Sequence, residues 1–295
     1  MVKGYDALLR GAAVQTADKG GFSGATGDFG IDLTSRGAPI QVVDAAFLAA
    51  VNAATAADEL SVSVWIKKYD IAASSGFWFS SPSQARVYQA HIPWSDNSIY
   101  FDTAGCCDGT TQRINANIDT FPGFEGDTTD TSWWRNWRHY VFTKKADHKV
   151  IYVDGVVFLD GSSSGLLSTD INQLAIGADN ALGSNMHAVI DDFAVFGKEL
   201  TPANVVSLAA KTKASALPAA AGLLADWDFN KTATEPPKIT SITKVAGGNV
   251  TITWTGGGTL EAAASVTGPW QAVTGASSPY TFAPSQAQLF GRIRQ

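Results

Sequence analysis

Apolar and polar positions alternate in short runs along most of the chain, and stretches of helical period are rare. Residues 60–66 alternate strictly. Leu60, Val62, Val64 and Ile66 fall on one face and Ser61, Ser63 and Trp65 on the other, which is the two-residue period of a strand. Similar runs predict strands at 87–93, 98–103, 112–118, 137–144, 174–177, 188–196 and 223–229. At 150–159 two apolar runs flank Asp154-Gly155, a pair suited to the positive φ angles of a type I′ hairpin turn. Two stretches read as helices. One is the alanine-rich 44–57, with Asp44 as N-cap; the other runs from Thr201-Pro202 to about Lys211, with a capping threonine before a first-turn proline. The remainder of residues 1–58 reads as a loose opening with a glycine-rich loop at 20–30.

This pattern predicts an all-β chain with two sandwiches. Residues 1–231 form the larger, 232–238 a linker, and 239–295 a small antiparallel β-sandwich. The linker is placed at Pro236-Pro237, which continues neither a helix nor a central strand. Beyond it, turn signals such as TGGG and GASSP separate short apolar runs at 239–245, 249–255, 259–265, 270–274, 279–282 and 289–294. The 295 residues include 28 Gly and 9 Trp, a balance that suits turns and aromatic anchors and excludes general disorder. A net charge of −6 argues against a nucleic-acid partner, because phosphate backbones need a basic patch. No apolar run is long enough for a membrane-spanning helix.

The stretch 87–118 holds the richest candidate chemistry. Alternation puts Tyr88, Ala90 and Ile92 on one face of its first strand, with Gln89 and His91 on the other. In the second strand Ile99 and Phe101 oppose Tyr100 and Asp102; in the third Ile114, Ala116 and Ile118 oppose Arg113, Asn115 and Asn117. If the apolar sets share a core, then Gln89, His91, Tyr100, Asp102, Arg113, Asn115 and Asn117 share one surface. Such an array offers the mixed donors and acceptors that sugar hydroxyls need. A plain solvated sheet face is the competing reading. Trp94, in a turn, and one of Trp133 and Trp134, in a loop, are expected to be exposed for stacking on a sugar ring, whereas Trp65, Trp137, Trp227 and Trp254 are expected to anchor the core. Cys106 and Cys107 are the only cysteines and are adjacent; both a vicinal disulfide and a pair of reduced thiols remain open. The acidic pair Asp191-Asp192 cannot act as a general acid and base together, since neighbours on a strand point to opposite faces.

The segments SVSVWIKK (61–68), WRHYVFTKK with KVIYVDGVVFLDG (137–161), and LAIGADN with MHAVIDDFAVFGKELTPANVVSLA (174–209) occur in an order that resembles the laminin-G-like jelly rolls of the concanavalin A-like lectin/glucanase superfamily. The block 91–114 resembles a bacterial subset found in surface and secreted proteins of planctomycetes and verrucomicrobia. The resemblance covers about residues 25–230, and the segment 239–295 is similar to the small Ig- or fibronectin-III-like modules that end such proteins. It implies a two-sheet jelly roll, an extracellular or cell-surface location, glycan or protein binding, and often one calcium ion; Asp28, Asp191 and Asp192 are the candidate ligands. It does not imply catalysis, and the E-x-D-x-x-E strand of laminarinase-type relatives is absent. The start MVKGYDALLRG has no apolar stretch of a signal peptide. A cytoplasmic chain and a secreted chain parted from its leader both fit, and composition favours the second.

The expectation is therefore a non-catalytic carbohydrate-binding or adhesive module for a polysaccharide or glycan. The rival reading is a structural module binding other surface proteins, and a weaker rival is a polysaccharide-degrading enzyme. The leading expectation depends on strand parity: it fails if Arg113 faces away from His91 and Tyr100.

Overall fold

The computed structural model describes residues 5–35, 37–127, 130–230, 237–245, 248–255, 258–284 and 288–294. It divides into two compact units, Met1–Asn230 and Lys231–Gln295. Most of the expected linker, residues 232–236, lies outside the described residues.

The strands of the first unit are β1 (Leu8–Leu9), β2 (Val14–Gln15), β3 (Ile31–Asp32), β4 (Ile40–Val42), β5 (Glu59–Lys68), β6 (Phe77–Ser80), β7 (Tyr88–His91), β8 (Ser98–Thr103), β9 (Arg113–Asn117), β10 (Arg138–Lys145), β11 (His148–Val153), β12 (Val156–Ser162), β13 (Gln173–Ile176), β14 (Ala188–Phe196) and β15 (Leu223–Trp227). They form two antiparallel sheets. One runs β1-β4-β13-β6-β7-β8-β9; the other runs β12-β11-β10-β5-β14-β3-β2, with β15 also paired to β14. The inward faces pack Val62, Val64, Phe142 and Phe193 of the second sheet against Phe77, Tyr88, Ala90 and Phe101 of the first, all fully buried. This is the sandwich expected from the alternation, because each strand buries one of its two faces, and it has the two-sheet form the family resemblance implies.

Local signals act as their chemistry dictates. Asp44 accepts from the amides of Ala46 and Phe47 at the start of α1 (Ala45–Thr55). Thr201 caps α2 (Pro202–Ala209) through the amide of Asn204. Asp154 and Gly155 both take positive φ (51° and 84°) and turn β11 into β12.

Two expectations need correction. The opening is not loose, since β1 and β4 extend one end of the first sheet and β3 and β2 one end of the second. β6 was not visible in the alternation: its sequence, Phe-Trp-Phe-Ser, is buried on both faces and so lacks a polar period.

The second unit holds β16 (Lys238–Lys244), β17 (Val250–Thr255), β18 (Thr259–Ala263), β19 (Gln271–Ala272), β20 (Tyr280–Phe282) and β21 (Phe290–Arg294). They form two three-stranded antiparallel sheets, β16-β17-β20 and β19-β18-β21. Ile252, Trp254 and Leu260 are buried between them, as a small sandwich requires.

Candidate functional site

The register of β7, β8 and β9 decides which side chains share the outer face of the first sheet. His91 pairs with Tyr100, and Tyr100 with Asn115; Gln89 pairs with Asp102, and Asp102 with Arg113; Ser98 pairs with Asn117. Directly opposed residues point the same way, so Arg113 lies on the side of His91 and Tyr100. Ile99, Phe101 and Ile114 turn inward.

Sharing a face is not the same as being accessible. Asp102 is fully buried and is the hub of the face. Its Oδ1 accepts from Arg113 Nε at 2.5 Å, and its Oδ2 accepts from Arg113 Nη2 at 2.6 Å, Arg86 Nη1 at 2.8 Å and Gln89 Nε2 at 2.5 Å. Burial alone would raise the Asp102 pKa, but the bonds and charges of Arg113 and Arg86 outweigh it and hold the carboxyl below its usual range. Gln89 is likewise fully buried. These two residues, expected to meet a ligand directly, instead hold the two arginines in place; the physical reason is that the guanidiniums close over the carboxylate.

His91 is also covered. Its ring packs on Trp94 at 4.3 Å between centroids, and its Nδ1 lies 3.0 Å from the Ser74 carbonyl. Burial pushes its pKa down to about 4, so it is neutral near pH 7. The accessible part of the array is Trp94, Tyr100, Arg113 and Asn117, all half-buried, and Asn115, exposed. Tyr100 donates to Asp96 Oδ2 at 2.5 Å and lies under the Arg113 guanidinium at 4.5 Å. Asn117 Nδ2 donates to the Asp96 carbonyl, which ties the 94–97 turn to β9.

The expectation of an exposed indole in the 133–134 pair is overturned. Trp133 is 3% exposed and Trp134 is 1% exposed. Trp133 packs against Phe121, Phe124 and Trp134 and lies under the Arg138 guanidinium at 4.1 Å. This loop closes the core with its aromatics and does not offer them to solvent. Trp227 and Trp254 are buried as expected, while Trp65 and Trp137 are half-buried, Trp65 stacked on Phe22 at 4.5 Å.

Sequence reasoning passed over Arg86 and the role of Trp78. Arg86 precedes β7 and belongs to no alternating run, yet its guanidinium sits 4.4 Å over the buried Trp78 ring and reaches Asp102. Leu182 packs against the small cluster that Trp78 forms with Ala175 and Ala178. Cys106 and Cys107 are joined by a disulfide in the β8–β9 loop, and Cys106 Sγ lies 3.6 Å from Arg113 Nη2.

Of the three candidate metal ligands, Asp28 and Asp191 come together and Asp192 does not. Asp191 is fully buried; its Oδ2 accepts from the Phe22 amide at 2.9 Å and its Oδ1 from the Asp192 amide at 2.8 Å. Asp28, 6% exposed, accepts from the amide and hydroxyl of Ser23. Both carboxylates crowd Gly21, where a Cβ would come within 2.5 Å of Asp28 Cγ and 2.6 Å of Asp191 Oδ2. Asp192 departs from the set. The strand bulges between Asp191 and Ala194, and Asp192 is ion-paired with Lys213 at 2.8 Å. Burial, then the charges of Asp192 and Asp28, push Asp191 up to about 8. Among the described residues no group of three or more His, Cys, Asp or Glu is arranged to hold a metal ion.

The family model of the concanavalin A-like lectin/glucanases superfamily (Laminin_G_3) matches residues 43–206, and the chain belongs to that family. A search of curated proteins finds no match. Among solved structures, the botulinum neurotoxin serotype D binding domain is similar at 16% identity, with 70% of this chain and 47% of that chain covered and a TM-score of 0.47. The binding domain of botulinum neurotoxin DC in complex with SialylT is similar at 17% identity, covering 70% and 46%, TM-score 0.47. The type G receptor binding domain is similar at 15% identity, covering 70% and 46%, TM-score 0.46. The chain thus spans about half the length of the structures it matches. No helix among the described residues is long and apolar enough to cross a membrane.

Proposed function

We propose that the chain is a non-catalytic, lectin-like binding module that takes a polysaccharide or glycan on the β7–β9 end of the first sheet. The observation that carries this reading is the register that puts Tyr100, Asn115 and Arg113 on one accessible face beside the half-buried Trp94. An aromatic ring, an unpartnered amide and a guanidinium supply the stacking surface and the mixed hydrogen bonding that a pyranose needs. A hydrolytic role lacks support there. Asp102 is held by two arginines, and Asp96 is engaged by Tyr100 and Ser98, so no carboxylate pair stands ready to act as acid and base.

Calcium is part of this proposal, as a structural ion away from the saccharide face. Asp28 and Asp191 fit a hard cation, because two buried carboxylates share one small space beside Gly21. They would be its carboxylate ligands, and Asp192 would not. The disulfide favours an oxidising setting, extracellular or at a cell surface. A second reading, assembly with other surface proteins, rests on β12. This is an edge strand whose Val156 and Val157 are 52% and 46% exposed.

Affinity electrophoresis and calorimetry against glucans, xylans, mannans and acidic polysaccharides test the proposal. Retention by at least one glycan is expected, with at least a tenfold loss in Trp94→Ala and Tyr100→Ala. Calcium is expected to raise the thermal midpoint in the parent chain and not in Asp191→Asn. Unchanged mobility across the whole panel would overturn glycan binding. Concentration-dependent assembly without glycan would then favour the second reading.

A further inference from the structure

Two guanidiniums meet at the centre of the saccharide face. Arg86 Nη1 and Arg113 Nη2 converge on one oxygen, Oδ2 of Asp102, at 2.8 and 2.6 Å. Two guanidiniums therefore share a single buried carboxylate. Each sits over a ring of the same face, Arg86 over Trp78 at 4.4 Å and Arg113 over Tyr100 at 4.5 Å. Their side chains are 24% and 18% exposed, whereas Asp102 lies wholly beneath them. Among the described residues Arg86 Nε and Nη2 and Arg113 Nη1 meet no acceptor. The other carboxylates nearby are engaged elsewhere. Asp96 takes the Tyr100 hydroxyl and the Ser98 amide, and Asp108 takes the amides of Thr110 and Thr111. The face thus keeps three guanidinium nitrogens, on two half-solvated and immobilised side chains, open to a further acceptor.

Resting on the glycan-binding reading above, we propose that the ligand is an anionic saccharide, its carboxylate or sulfate held by Arg86 and Arg113 while a ring lies by Trp94 and Tyr100. Guanidinium forks suit both oxyanions, and forks already fixed by Asp102 and by stacking lose little freedom on binding. The Cys106–Cys107 disulfide forms one rim of this anion position, through the 3.6 Å approach of Cys106 Sγ to Arg113.

The test compares matched pairs at 0.15 M salt: polygalacturonate against its methyl-esterified form, and dextran sulfate against dextran. At least tenfold tighter binding of one charged partner is expected. Arg86→Gln is expected to lose at least tenfold of that affinity while melting cooperatively, because Asp102 keeps Arg113 and Gln89. Lys211→Gln, the same charge change near Phe22 and away from this face, is expected to bind as the parent does. Equal loss in Lys211→Gln would mean diffuse attraction and would overturn the inference. Equal affinity for charged and uncharged partners, still abolished by Trp94→Ala, would overturn the anion position and leave glycan binding standing. No binding of any saccharide would overturn both.

Discussion

The two sheets of the larger unit both carry polar residues on their outer faces, and the two faces end differently. On the second sheet Ser61, Ser63, His139 and Thr143 are buried to 2% exposure or less, because α2 and the chain after it lie across them. Val205 and Leu208 of α2, with Leu200 and Ala214, pack on Val141, Tyr152 and Phe196 and seal that surface. On the first sheet no helix intervenes. Cover comes from single side chains, Arg86 over Trp78 and Trp94 over His91, and it stops short of Tyr100, Asn115 and Asn117. Polar alternation tells which side of a strand faces away from the shared core. It does not tell what later segments place on that side.

The sharpest way to break this contrast is at Asp102. Asp102→Asn removes the only anion beneath two guanidiniums while keeping the side-chain shape. A buried ion pair stripped of one partner costs about 3–5 kcal/mol, and the low end applies here because both arginines can turn partly to water. Urea unfolding of the parent and variant measures this. A change below about 1 kcal/mol would show that Asp102 does not organise the face. Ser63→Ala on the sealed face removes a neutral 2.8 Å contact to His139 Nε2 and is expected to cost less, about 1–2 kcal/mol.

Much of the fold was legible because parity is a local property. The β7–β9 meander, the Asp154-Gly155 turn and the Asp44 and Thr201 caps each depend on a few adjacent residues. β6 was illegible for the opposite reason: Trp78 faces outward yet is buried, with the Arg86 guanidinium over it from beyond the strand's end, so no polar residue marks that face. The site divides the same way. Register brought Gln89, His91, Tyr100, Asp102, Arg113, Asn115 and Asn117 onto one face. Burial then withdrew Gln89, His91 and Asp102 from it through partners that no period announces. Trp133 and Trp134 misled because a polar, glycine-rich setting marks a loop but not the direction its aromatics take.

The histidines sharpen the comparison with a smaller effect, one on each face. Burial holds His91 down to about 4 and His139 down to about 3, against an ordinary value near 6.5. The folded pKa is the lower one, so the unfolded chain binds the extra proton first. Stability from each neutral ring is complete above about 6.5 and is lost as pH falls toward the folded value. Between pH 7 and pH 5 each ring is expected to withdraw about 1–2 kcal/mol. The buried carboxylates Asp191 and Asp192, pushed up to about 8 and about 6, act with the opposite sign, so the total slope of the parent does not isolate the histidines. The difference between parent and variant does. His91→Asn and His139→Asn should each regain about 1–2 kcal/mol relative to the parent on going from pH 7 to pH 5, read from unfolding midpoints at both. His139 has a buried Nδ1 with no partner, whereas His91 Nδ1 faces the Ser74 carbonyl beneath Trp94. Both folded values lie below this window, so the two responses over it should be nearly equal and the faces should separate only below about pH 4, where His91 takes its proton before His139; a clearly smaller shift in His91→Asn between pH 7 and pH 5 would show that the open face already lets its ring protonate there.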